Sequence, residues 1–150
     1  MGRGFLRLGF ALEVEGVCTL FAEAACDGFA GKSSGLFNTA DIEEFAKAIS
    51  EYPLPPRDRC SVATGFGTSS KALEQEHLGI EVYPIDSRGH IGVQVRMATP
   101  VWDDERSESQ KVARVELRTT YQPLGNFSRD LLALIKGSAE QALLEEEAVP

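Results

Sequence analysis

Two runs of strict alternation near the start of the chain restrict the fold more than any other feature. Leu6, Leu8, Phe10, Leu12 and Val14 alternate with Arg7, Gly9, Ala11 and Glu13. After Glu15-Gly16 the same period returns in Cys18, Leu20, Ala22 and Ala24 against Val17, Thr19, Phe21 and Glu23. Successive strand side chains point to opposite faces, so this period predicts two strands with one buried face each. A two-residue link containing glycine predicts a hairpin between them. An amphipathic hairpin cannot stand alone in water, and its apolar face needs helices or further strands as cover.

The rest of the chain supplies that cover. Residues 27–36 contain Gly28, Gly31 and Gly35 around Lys32-Ser33-Ser34, and read as a loop or a short irregular strand. Asn38 and Thr39 offer side-chain oxygens to the open amides of a helix start, and Asp41 suits its positive end. Ile42, Phe45, Ala46 and Ile49 then follow at helical spacing, which predicts a helix from Thr39 to about Glu51. Pro53, Pro55 and Pro56 cannot continue it. Four strands are expected next, over 59–66, 78–85, 90–98 and 112–121, with hairpin turn chemistry at Asp86-Ser87-Arg88-Gly89. Leu124, Phe127, Leu131, Leu134 and Ile135 mark a last helix, with Asn126 or Ser128 as its cap and Gly137 as its end. Residues 139–144 read as an extension of that helix, and Glu145-Glu146-Glu147 through Pro150 as a frayed acidic end. The expected product is one α+β domain over residues 1–150: a largely antiparallel sheet of about six strands with two helices on one face.

Length and composition agree with a self-sufficient core. A chain of 150 residues removes roughly 70% of its unfolded surface from water without staples. Its 43% hydrophobic and 25% charged content is ordinary globular usage. The apolar run 5–14 is interrupted by Arg7 and Glu13, so neither a secretion signal nor a membrane anchor is expected. Cys18, Cys26 and Cys60 have no metal-site spacing, and an odd number argues against a disulfide framework. A cytoplasmic setting follows. The net charge of -8 repels nucleic acid and anionic lipid and favours a basic protein partner. Homo-oligomers remain open through an exposed sheet face or strand edge.

No set of residues specifies catalysis, a cofactor or a metal. The stretch from Gly65 to Lys71 lacks both the Walker spacing and the dinucleotide fingerprint, and reads as a flexible loop. His77 and His90 lie at strand ends, where an exposed histidine is the plainer reading than a ligand. Cys60 as nucleophile with His90 as base is conceivable, but alternation puts Cys60 on the apolar side with Val62 and Phe66, favouring a buried structural thiol. Adjacent carboxylates at Glu43-Glu44 and Asp103-Asp104 do not face one another and suit a solvated surface.

Two surfaces remain as binding candidates. The connection 101–109 carries Trp102, Asp103, Asp104, Glu105 and Glu108 against the single base Arg106. A long loop of this kind is either functional or simply mobile, and an aromatic anchor beside charge favours recognition of a basic partner. The second candidate is the water-facing side of the later strands, with Gln94, Arg96, Arg114, Glu116 and Arg118. There Arg96, Arg114 and Arg118 beside Tyr83 would suit a small anionic ligand, against the plainer reading of a solvated strand face.

The segments Gly28-Phe29-Ala30-Gly31, 36–45 from Leu36 to Phe45, Gly89-His90-Ile91-Gly92-Val93 and Leu124-Gly125-Asn126-Phe127 resemble those of small bacterial immunity proteins of the WapI type, which neutralise polymorphic contact-dependent toxins. The likeness covers much of the chain and rests on structural residues. It implies an α+β fold and a non-catalytic role in masking the active surface of a cognate toxin. The acidic balance agrees, since nuclease inhibitors present carboxylates to basic clefts.

Overall fold

The opening hairpin pairs as the alternation predicts, but its buried face ends before Leu12 and Val14, which are exposed. In a computed structural model, which describes residues 3–69 and 72–146, β1 (Phe5–Val14) and β2 (Val17–Cys26) pair antiparallel, from Phe5↔Ala25 to Val14↔Val17. Gly16 turns the chain with φ of 81°, a left-handed conformation that side chains resist. The glycine-rich segment after Cys26 is not a loop but a full third strand, β3 (Phe29–Asn38), paired with β2 along its whole length.

The single sheet of about six strands expected from alternation is replaced by two antiparallel sheets of four strands each. The first has the order β3-β2-β1-β8. Its last strand, β8 (Ala142–Glu145), comes from the segment read as a helical extension and pairs with β1 from Leu8↔Ala142 to Phe5↔Glu145. Glu145 is therefore in a strand rather than a frayed end, and the Glu146 amide donates to the Gly4 carbonyl at 2.7 Å; Glu147 to Pro150 lie outside the described residues. The second sheet has the order β4-β5-β6-β7, from β4 (Ser61–Ser69), β5 (Ala72–Pro84), β6 (Ile91–Ala98) and β7 (Val112–Thr119).

Why two sheets form is written in the small residues of β3. Gly31 faces Ala113 of β7 and Met97 of β6. The Ser33 hydroxyl donates to the carbonyls of His77 on β5 (2.5 Å) and Ala98 on β6 (3.3 Å). Gly35 sits on Thr64 of β4. Five consecutive residues thus cross all four strands of the second sheet. Four steps along a strand cover about 13 Å and three inter-strand gaps about 14 Å, so β3 runs nearly at right angles to that sheet, as in orthogonal packing.

Helix α1 (Thr39–Ala48) is a turn shorter than its apolar spacing suggested, and α2 (Tyr121–Ile135) starts earlier, after Thr120. Ser128 is no cap: it is buried within α2, where its hydroxyl donates to the Ala46 carbonyl of α1 at 2.5 Å and fastens the helices together. Gly137, with φ of 80°, ends α2 as expected. Leu124, Phe127, Leu131 and Leu134 of α2 join Ile42, Phe45 and Ile49 of the α1 region, Leu6, Leu8 and Leu20 of the first sheet, and Ile80, Val93 and Leu117 of the second in one core. Each such side chain contributes roughly 1.5–3 kcal/mol by leaving water. The outer faces of both sheets stay open. Among the described residues no helix is long and apolar enough to cross a membrane.

Candidate functional site

The acidic connection is built on an irregularity in the β4–β5 ladder. Thr64 pairs with Leu78, but the next residue, Gly65, pairs with Glu76, so His77 is left without a partner. This β-bulge reverses the side-chain alternation of β5 on either side of it. Gly65 is required there because a Cβ would overlap the Gln75 carbonyl.

Gln75 thereby meets the backbone of the acidic connection. Its Nε2 donates to the Val101 carbonyl at 3.0 Å, and its Oε1 accepts the Val101 amide at 2.8 Å. The His77 Nε2 lies 2.6 Å from the same Oε1. An amide oxygen only accepts, so Nε2 carries the proton. His77 is 7% exposed, which corrects the expectation of an exposed strand-end histidine. Burial lowers its pKa and favours the neutral ring. Phe66 stacks edge-on to His77 at 4.5 Å and lies 4.6 Å from the Trp102 ring.

Beyond Trp102 the loop closes on itself. The Glu105 amide donates to the Trp102 carbonyl at 2.9 Å, while the Glu105 carboxylate accepts the Trp102 amide at 3.0 Å. Arg106 and Glu108 approach to 3.8 Å beside a short 3-10 turn, Ser107–Ser109. Asp103, Asp104 and Glu108 are exposed. The charges and the aromatic ring are visible in the sequence, whereas their anchors, Phe66, Gln75 and His77, are not visible there as anchors. Only the bulge brings those three to one place, and a period-2 pattern does not reveal a bulge.

The second candidate surface lies on the outer face of the β4–β7 sheet, where the register sets Arg96 opposite Arg114 and Gly92 between Tyr83 and Arg118. Arg96 has four of its five N–H donors engaged: it donates to both Glu76 oxygens at 2.7 and 3.2 Å, to Glu81 at 3.1 Å and to Gln94 at 3.0 Å. Tyr83 is buried, donates its hydroxyl to Glu116, and lies under the Arg57 guanidinium at 4.1 Å. Burial and the Glu116 carboxylate push its phenol pKa upward. The Arg118 guanidinium lies 4.0 Å from Asp86, and Arg114 is exposed. Arg57, Glu76 and Glu81 were not anticipated on this face.

The remaining candidates stay apart. Cys60 lies in a 3-10 turn rather than a strand, is buried, and points its thiol at the Pro55 carbonyl at 3.7 Å. Burial raises its pKa. His90 holds Asp86 at 2.6 Å at the hairpin turn. Cys26 lies beside Glu146 and Asp27, and burial with those carboxylates pushes its thiol up to about 11. Ser70 and Lys71 of the glycine-rich stretch lie outside the described residues, while Gly65 to Ser69 belong to β4. Among the described residues no group of three histidine, cysteine or acidic side chains is placed to hold a metal. Compared with family models, curated proteins and solved structures, the chain matches none of them.

Proposed function

We propose that this chain is a non-catalytic binding protein that masks the surface of a basic protein partner with its acidic loop, as the likeness to toxin-neutralising immunity proteins implies. The observation that carries the reading is the Gln75 clamp on Val101 with Trp102 seated on Phe66. A loop held in advance loses little conformational freedom on binding, so more of the interaction energy appears as affinity. Asp103, Asp104 and Glu108 supply the field that draws in a cationic surface, and Trp102, 59% exposed, supplies an aromatic contact. Glu105 acts within the loop by holding the Trp102 amide. A cytoplasmic setting fits the three free cysteines.

The experiment is co-expression with the product encoded beside its gene, followed by surface plasmon resonance across a salt series. Neutralisation of a toxic product is expected. Asp103→Asn with Asp104→Asn should slow association by about tenfold at low salt, with the difference shrinking as salt rises and the melting temperature unchanged. Persisting toxicity beside stable protein, or a double variant that binds like the parent, overturns the reading. The alternative, an anionic ligand held by Tyr83, Arg96, Arg114 and Arg118, has less support because four of the five Arg96 N–H donors already meet Glu76, Glu81 and Gln94.

A further inference from the structure

A second surface, independent of the acidic loop, lies where α1 passes the start of β4. A groove of about 570 Å³ runs there over an apolar floor of Phe37, Phe45 and Val62. Asp41 and Glu44 of α1 form one wall, Ser61 to Ala63 of β4 the other, and Asp58 stands at one end.

The β4 wall is a sheet edge. β4 is the last strand of its sheet, and among the described residues no backbone hydrogen bond joins it to any element other than β5. An edge strand presents a row of unpaired N–H and C=O groups, which folds usually blunt with proline, lysine or a bulge. Ser61-Val62-Ala63-Thr64 contains no proline or lysine, and the irregularities of the ladder begin only after Thr64. The groove keeps this stretch open beside a helix, the setting in which an extended segment adds a strand.

Charge selects the segment. The two cations lining the groove are held by carboxylates outside it: Lys47 by Glu43 at 2.9 Å and Arg59 by Glu51 at 3.0 Å. Among the described residues, Asp41, Glu44 and Asp58 are the exposed lining charges that no ion pair offsets. We propose that the groove between α1 and β4 binds an extended basic segment of a partner protein by strand addition to β4. Alternate side chains of that segment would descend to Phe37, Phe45 and Val62, and those between them, lysine or arginine, would meet Asp41, Glu44 and Asp58.

The probe is the peptide acetyl-Lys-Val-Lys-Val-Lys-amide, titrated into the full chain and followed by amide NMR. Two controls accompany it: the same peptide N-methylated at alternate residues, which keeps the charge but removes amide donors, and its Glu-for-Lys counterpart. Strand addition predicts shifts and slowed hydrogen exchange centred on Ser61 to Ala63, with binding weakened on the order of tenfold or more in either control. Glu44→Lys should weaken the lysine peptide similarly while leaving the melting temperature within a degree or two of the parent. Absence of binding, equal binding by the N-methylated peptide, or shifts that avoid Ser61 to Ala63 would each overturn the proposal. Because neither Asp103 nor Asp104 takes part, loss of the acidic-loop function leaves these results unchanged.

Discussion

The outer faces of the two sheets both meet water, yet they are built from opposite materials. On the β4–β7 sheet, Arg57 and Arg96 interlock with Glu76 and Glu81, and Tyr83 with Glu116, across three strands. On the β3-β2-β1-β8 sheet an ionic row, Arg7–Glu23 at 2.7 Å and Lys32–Glu23 at 4.0 Å, borders exposed Phe21 and Leu36. A shallow cavity of about 620 Å³ runs between that row and Phe21, past Gly9 and Ser34. Their inner faces differ too, since β3 presents glycine and serine where the second sheet presents Thr64, Met97 and Ala113. The first sheet is thinned so that the second can approach it. The second spends its polar side chains on one another.

The close approach is the most fragile feature. A Cβ on Gly35 would overlap the Thr64 Cγ2, and one on Gly31 would stand 2.8 Å from the Ala113 Cβ. Gly35→Val should therefore cost about 2–3 kcal/mol through overpacking, measured as the shift in a urea unfolding curve. Gly35→Ala should cost less and be partly restored by Thr64→Ser, which deletes the offending methyl but keeps the hydroxyl that donates to the Leu36 carbonyl at 2.6 Å. Additive losses in that pair would show that the sheets do not meet through this contact.

The outer faces should separate more gently. Arg96→Met leaves Glu76 without its main partner and Glu81 with Arg57 alone in a half-buried setting, and should cost about 1–2 kcal/mol. Arg7→Met breaks a pair whose side chains are 43% and 36% exposed, and should cost under about 0.5 kcal/mol. Glu81 is held below the usual carboxylate range first by the hydrogen bond from Arg57, with Arg96 adding to it. Its folded pKa is depressed, so its contribution is present above the unfolded value and is lost as the pH falls through the folded one. Acid melts should show a smaller loss in Arg96→Met than in the parent. Equal costs for the two arginine variants would erase the contrast between the faces.

Much of this fold was legible because alternation is a local signal. The first hairpin, α1 and the β5–β6 hairpin with its Asp86–Gly89 turn all follow from residues that are near one another in sequence. β3 was not legible, since Gly31, Ser33 and Gly35 look like loop residues until a second sheet crosses them. Read as a period of two, the same three residues mark a face that must lie close to another backbone. β8 was hidden by the helical composition of residues 139–144, whose pairing with β1 is wholly non-local. At the candidate site Trp102 and its carboxylates were visible in the sequence. Gln75 and His77 were not, because the bulge that aims them depends on how β5 registers against β4. The same irregularity sets Glu76 on the face of Glu81, two residues that strict alternation would place on opposite sides.

The smallest expected effect links that bulge to the acidic loop. Neutral His77 donates through Nε2 to the Gln75 oxygen that also accepts the Val101 amide. Burial lowers the imidazole pKa, so the unfolded chain takes up the proton more readily than the folded one. The resulting stability is fully present above the ordinary imidazole value of about 6.5 and is lost as the pH falls toward the depressed folded value. His77→Gln removes that titration, whatever fixed cost it adds by changing the packing against Phe66. The slope of stability between about pH 7 and 5 should therefore be flatter in the variant by a fraction of 1 kcal/mol per pH unit. Trp102 is the sole tryptophan, so its fluorescence reads the loop directly while circular dichroism reads the sheets. If both probes keep the parental slope in His77→Gln, the histidine does not couple pH to the loop, and the Gln75 clamp and the Phe66 stack hold Trp102 without it.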